Sequence, residues 1–380
     1  MSAPTCSVCQ KAATLPALIC TMCTTVPTYY CDTNCRGRHQ TQELVYRCGG
    51  LLKELLLAFR EAAFDIKIKG VEKIGNKLLI YEDWYDLKDP NEGPLYRFPG
   101  HMFDDDSDKS KLLVFCACQE AVAFTFELAE TLLRDISATI EEINVDNVDR
   151  NSTIVKYVAT GRMDGVPYGH NAMIVETKPE LGGKSYAFDL AGAQNGQLNA
   201  VVPFHEFANK AGEVVSEIHP HGYCKDMCKK IRDGTEGMPE THDHRSSHMQ
   251  YEIAQRMLAA VKEWEGINKT KLQRLVRSKS DAFVEGKASL IAHVSSDLLA
   301  YVVKWEQDGR YIKPFTPLEV PWAMSFHGPK VEECTVEPKG LGSQAYRRFL
   351  ADKKRRGRFP ESMKEFTNAL GQTFKFVDLS

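Results

Sequence analysis

The chain of 380 residues has no run of 18 apolar residues and no excess of charge of one sign. Against 51 Asp and Glu stand 48 Lys and Arg, for a formal net charge of −3 and a pI near 6.4. The first absence argues against a membrane-spanning helix. The second removes any bulk electrostatic case for nucleic acid or an anionic membrane as partner. The opening residues, MSAPTCSVCQ, lack the basic n-region, apolar h-region and small-residue cleavage site of a secretory signal. The expectation is an intracellular protein of cytoplasm or nucleus, with reduced thiols. No internal repeat is visible, and the length accommodates one small module plus one or two domains with real cores.

What is abundant is cysteine, and it is crowded. Seven of the 12 cysteines (Cys6, Cys9, Cys20, Cys23, Cys31, Cys35 and Cys48) fall in the first 48 residues. Seven is an odd number for disulfides, and reduced cysteines at short spacing usually bind metal. Cys6-x2-Cys9 and Cys20-x2-Cys23 are each a knuckle that aims two thiolates at one ion. Cys31 and Cys35 are four apart, so on a helix they share a face, and His39 extends that face by a turn. With Cys48 these make eight ligands, enough for two closed tetrahedral Zn2+ sites. A segment this short, with few large apolar side chains, needs the metal for its stability.

This segment resembles the MYND zinc finger, which reads C-x2-C, C-x2-C, then an aromatic-Cys-x3-Cys helix closed by a His and a Cys. The matching residues are Cys6/Cys9, Cys20/Cys23, Tyr29 to Cys31 in "YYC", Cys35, His39 and Cys48. The resemblance implies a cross-braced pair of zincs, one on Cys6, Cys9, Cys31 and Cys35, the other on Cys20, Cys23, His39 and Cys48. It also implies protein partners, bound as short proline-containing peptides beside the zincs. At the closing helix the chain departs from the family: Glu43 stands where the family has its His, and Cys48 comes one residue late. His39 and Glu43 are thus rival ligands, and His39 is preferred because imidazole completes a Cys3His set. The body of the chain is similar to fungal proteins that carry a MYND finger at one end, through "FREAAFDIKIKGVEK", "GHNAMIV" and "YAFDLAGAQNG". A lysine methyltransferase domain, common beside such fingers, is not expected, because "GHNAMIV" lacks the cysteine of its signature.

Beyond the cysteines the pattern reads as α+β. Leu52, Leu55, Leu56, Phe59 and Ala63 recur at helical spacing over 49–64, and Gly75-Asn76 reads as a two-residue hairpin turn. Residues 103–111 read as an acidic loop, and the apolar run from Leu112 as one long buried helix. "STIVKYVATGR", "HNAMIVET" and "SYAFDLAG" read as strands of an antiparallel sheet, and "PFHEFANKAG" as a short helix. Residues 225–265 read as helical around the polar break "DGTEGMPETHDHRSSH", and 288–305 as another helix. The expected organisation is a finger over 1–48, an α+β domain over 49–240, and a mainly helical region with an irregular tail over 241–380.

Several constellations carry possible chemistry. His170 begins one expected strand and Asp189 ends the next, while Cys116 and Cys118 lie upstream in "FCACQEAVAF". Papain-like and transglutaminase-like folds use a thiol, an imidazole and a carboxylate in this order. The alternative is two small core cysteines, a turn histidine and a loop-capping aspartate. His219, His221, Cys224 and Cys228 offer a third metal set, whereas His242, His244 and His248 read as a solvated linker. "KKRRGR" at 353–358 reads as a solvated helix end or an import signal. The finger is the strongest signal, and closed zinc sites do not catalyse. The leading expectation is therefore a zinc-binding regulatory adaptor that binds proteins. The runner-up is a cysteine-dependent hydrolase or acyltransferase using Cys116 or Cys118, His170 and Asp189. Direct DNA binding is disfavoured, since residues 1–48 hold only Lys11, Arg36, Arg38 and Arg47 as basic groups.

Overall fold

Asp32 starts the longest helix. Its carboxylate accepts the backbone N–H of Cys35 at 2.6 Å, capping α1 (Thr33–Ala62). In this computed structural model, residues 5–13, 18–20, 22, 28–83, 93–147, 153–159, 169–209, 213–235, 242–309, 365–367 and 373–375 are described. The apolar stripe expected at 49–64 is only the second half of α1, which runs unbroken across the expected boundary at 48/49. Before it, β1 (Leu18–Ile19) and β2 (Tyr29–Tyr30) pair antiparallel. Gly49 persists inside the helix because α1 touches the sheet there: a Cβ would lie 2.0 Å from Val201 Cγ2.

After α1 the hairpin β3 (Ile68–Ile74) and β4 (Lys77–Glu82) turns at Gly75, whose φ of 61° is the left-handed value that favours glycine. The acidic stretch is a helix rather than a loop. Asp105 accepts the N–H of Ser107 and caps α2 (Asp106–Leu113). The long helix expected after Leu112 is divided: α3 (Cys118–Phe124) and α4 (Phe126–Leu133) are separated from α2 by a turn with Cys116 at φ 56°, and from each other at Thr125. Next come β5 (Ser137–Asn147), β6 (Ile154–Tyr157), β7 (His170–Thr177), β8 (Ser185–Phe188) and β9 (Val201–Pro203). They are followed by α5 (Phe204–Asn209), β10 (Glu213–Pro220) and α6 (Tyr223–Arg232). Then α7 (His242–Asn268), α8 (Leu272–Val276), α9 (Ser280–Gln307) and the pair β11 (Glu365–Thr367) and β12 (Thr373–Lys375) complete the described elements.

The fold is α+β. Five strands form an antiparallel sheet in the order β10-β5-β7-β8-β9. The strand expected from "STIVKYVATGR" does not join it. β6 instead lies parallel to β4 in a three-stranded sheet, β3-β4-β6, closed over Phe64, Leu112 and Phe115. One face of the large sheet, through Met173, Val175, Tyr186 and Phe188, packs in a core with α1, α3, α4, α7 and α9. The other, through Ile143, Ala172, Ile174 and Ala187, packs on Phe204 and Phe207 of α5. Alternation along β7 supplies both faces, as the two-residue period requires. The polar break is shorter than expected, because α7 already begins at His242; the expected solvated linker at 242–248 is helical. "KKRRGR" lies outside the described residues. Among the described residues, no helix is long and apolar enough to cross a membrane.

Candidate functional site

Two groups of side chains converge. The first is metal-like. A tight loop closes from the N–H of Cys6 to Lys11 O at 2.7 Å, and from the N–H of Gln10 back to Cys6 O at 3.0 Å. It sets Cys6 and Cys9 beside Cys31 and Cys35 at the start of α1. Cys9 and Cys31 sulfurs are 3.4 Å apart, Cys31 and Cys35 3.6 Å, and all four lie within 4.8 Å of one another. A tetrahedron built on ~2.3 Å metal–sulfur bonds has edges near ~3.8 Å, so the four thiols fit one metal ion. Burial works against a thiolate at Cys6, but backbone N–H groups of Cys9, Val8 and Cys31 outweigh it and bring the thiol down to about 6. At Cys35 burial wins, and the thiol is pushed up to about 11.

Of the second expected ligand set, the described members Cys20, His39 and Cys48 do not converge in this way. Cys48 is buried on α1, where its thiol donates to Leu132 O at 3.8 Å, and burial pushes it up to about 12. Its contacts there are those of a thiol within the core. Cys20 is buried and accepts the Met22 N–H at 3.3 Å, and Cys23 lies outside the described residues. The rivals His39 and Glu43 sit one turn apart on α1, 3.8 Å from each other. His219, His221, Cys224 and Cys228 do not meet at a common point either. His219 stacks on Tyr223, His221 stacks on Phe126 and bonds Glu142, and Cys224 is buried. Among the described residues, the Cys6–Cys9–Cys31–Cys35 group is the one assembled for a metal.

The second convergence joins Cys118, His170 and Asp189, which are 8%, 4% and 3% exposed. His170 opens β7, and Asp189 directly follows β8 on the neighbouring strand. His170 Nε2 lies 2.8 Å from Asp189 Oδ1. A carboxylate only accepts, so Nε2 donates to Asp189 and Nδ1 is the nitrogen left to take up or release a proton. Cys118, the first residue of α3, is within hydrogen-bonding reach of that imidazole. Burial disfavours the imidazolium, but the charge and hydrogen bond of Asp189, with the Cys118 thiol adding to them, raise His170 well above its ordinary value of 6.5. Cys116 does not share this position; it packs beside the core of the smaller sheet.

Two residues absent from the expected set complete the arrangement. Gln194 Oε1 accepts the Cys116 N–H at 3.0 Å, which turns its Nε2 toward His170 Nδ1 at 3.4 Å. The left-handed backbone of Cys116 makes that contact possible, a conformation a non-glycine residue adopts at some cost. Gly192 lies against the Asp189 carboxylate so closely that a Cβ would sit 2.4 Å from Oδ2. Both belong to "DLAGAQNG"; the two glycines and the amide signalled a turn, not a site. No family model, curated protein or solved structure matches the chain.

Proposed function

We propose that the protein is a cysteine-dependent hydrolase or acyltransferase, with Cys118 as nucleophile, His170 as base and acid, and Asp189 as the group that orients the imidazole. The observation that carries this reading is the buried 2.8 Å bond from His170 Nε2 to Asp189, which fixes the imidazole within reach of the Cys118 thiol. Histidine Nδ1 takes the thiol proton, and the thiolate attacks an acyl carbon, forming a C–S bond. The carbonyl oxygen becomes an oxyanion facing two donors. One is the Cys118 backbone N–H, which as the first of α3 has no intrahelical carbonyl. The other is Gln194 Nε2, aimed by its bond to Cys116. Collapse breaks the bond to the leaving group, which departs with the proton from Nδ1. Water or an acceptor nucleophile, deprotonated by the same nitrogen, then resolves the thioester.

The cysteine cluster has a separate role in this reading. Four thiolates close the coordination of zinc, the ion their tetrahedral sulfur set suits best, and leave no open position for chemistry. It fastens the N-terminal loop onto the first turn of α1. The test of the catalytic reading is acylation by p-nitrophenyl acetate followed by intact-mass and peptide mapping. One acetyl group on Cys118 is expected, absent in Cys118→Ser, slowed at least tenfold in His170→Ala and unchanged in Cys116→Ser. Acetylation that spares Cys118, or that proceeds equally without His170, would overturn it.

A further inference from the structure

A row of hydrogen bonds runs from Cys118 to the edge of the sheet. The Cys118 thiol lies 3.6 Å from Gly169 O and 3.6 Å from Asn171 Oδ1. Asn171 Nδ2 donates to Asn144 Oδ1, and Asn144 Nδ2 donates to Glu217 Oε2 at 2.9 Å. His219 Nε2 meets the same Glu217 oxygen at 3.0 Å. Register explains the row: Asn144 pairs with Asn171 on one side and with Glu217 on the other, across β7, β5 and the edge strand β10. A bulge between Val215 and Glu217 brings the carboxylate into line.

The direction of the row is fixed from its outer end. A carboxylate only accepts, so Glu217 must face Asn144 Nδ2, and Asn144 Oδ1 then faces inward. That oxygen in turn fixes Asn171, with Nδ2 toward β5 and Oδ1 toward the sulfur. Both oxygens beside the thiol therefore offer lone pairs. They satisfy an S–H and oppose a thiolate, and bonds in such a chain reinforce one another.

We propose that Glu217, Asn144 and Asn171 form a latch that holds Cys118 as a neutral thiol in the resting protein, and that reversal of the Asn171 amide releases it. This rests on Cys118 being the nucleophile. With Nδ2 turned to the sulfur, the same side chain stabilises the thiolate that His170 generates. Glu217 is the accessible end, with its side chain 58% exposed, so a cationic group that draws the carboxylate off Asn144 frees both amides to turn. Asn171 and Glu217 are thus positioning residues. The other titratable groups around Cys118 are His170 with Asp189 behind it, Glu142 on β5, Cys224 and Cys228 on α6, and Glu120 on its own helix.

The test is the rate of Cys118 alkylation by iodoacetamide against pH, followed by peptide mapping in the full chain. Asn171→Ala and Glu217→Gln should each move the half-maximal pH downward by about one unit, making alkylation about tenfold faster on the acid side. Glu217→Gln lies on the exposed edge strand and keeps the test valid where Asn171→Ala fails to fold. Superimposed profiles for both variants, with alkylation still slowed by His170→Ala, would overturn the latch and leave the nucleophile reading standing. A shift in both variants with no effect of His170→Ala would support the latch and overturn the assignment of the base.

Discussion

Replacing Gly192 with Ala tests the proposed catalytic row without touching any of its reacting atoms. The added methyl would lie 2.4 Å from Asp189 Oδ2, 2.7 Å from Cγ and 3.1 Å from Oδ1. To reach ordinary van der Waals distance the carboxylate must retreat by about 1 Å. Asp189 is buried, and the same carboxylate holds His170 at 2.8 Å, so a retreat on that scale parts the pair. Overpacking alone costs ~1–3 kcal/mol. Leaving a buried charge without its partner raises the loss toward ~3–5 kcal/mol. Urea denaturation should register this as a lower midpoint at unchanged slope, and alkylation of Cys118 should slow because the imidazole loses its anchor. Gly266→Ala is the control: a Cβ there meets nothing within 4 Å, and an exposed helical position should gain ~0.5–1 kcal/mol. A Gly192→Ala protein with wild-type midpoint and wild-type Cys118 reactivity would refute the reasoning.

Elemental analysis should find at least one zinc per chain; Cys6→Ser should lose it, whereas Cys48→Ala should keep it, since Cys48 faces Leu132 O in the core. His170 is raised in the folded state, so its ion pair stabilises fully below the unfolded value of ~6.5 and is lost as pH rises through the folded one. The stability difference between wild type and His170→Gln should therefore shrink with rising pH across that window, as followed by denaturation midpoints. Glu142 runs the opposite way. Burial opposes its charge, but His221 and the N–H groups of Gly222 and Cys224 hold it below its ordinary value of 4.5. Its contribution is present above that pH and lost in acid as pH falls through the depressed value, and Glu142→Ala should loosen α6 by ~3 kcal/mol, seen as faster amide exchange there.

Strands β7 and β8 were legible because alternation and β-branched residues mark them plainly, and the hairpin because Gly75-Asn76 supplies its turn. The inner strand β5 was not. It reads SATIEEINVDN, with adjacent glutamates where a buried strand would be apolar. The structure gives the reason: Glu142 is spent on capping α6, and Asn144 on the row that reaches Cys118, so polar residues occupy a strand for tertiary purposes. Edge strand β10 was hidden likewise by Glu217 and His219. The acidic stretch before Leu112 read as a loop because its capping aspartate is one of several in sequence. As for the site, residue types and order brought Cys118, His170 and Asp189 into consideration, yet could not choose between Cys116 and Cys118. That choice depends on a left-handed residue at 116, which turns one sulfur to a core and begins α3 at the other.

The two sites share a single support, and this bears on what a metal at the cysteine group would do. Helix α1 carries Cys35 in its first turn and Gly49 against Val201 and Phe188 of the large sheet. Between them Arg47, buried, donates to Met22 O in the N-terminal segment, to Val276 O at the end of α8 and to Ser278 O just beyond it. Thus, among the described residues, the Arg47 guanidinium hydrogen-bonds the N-terminal segment into the body, independently of any ion. Loss of a metal should therefore loosen the Cys6–Cys9 loop, which the Ser7 N–H ties to Tyr29 O of β2, without unfolding α1 past Arg47. The proposed thiol chemistry should then survive removal of a metal from the cluster, because Cys118 and His170 are positioned by α3, β7 and β8. Chelation with EDTA, followed by p-nitrophenyl acetate acylation and circular dichroism, checks this. Acetylation of Cys118 within about twofold of the untreated rate is expected, with only a small loss of helical signal. Coincident loss of acylation and of most helical signal would mean that the metal holds the whole fold together, and that Arg47 cannot substitute for it.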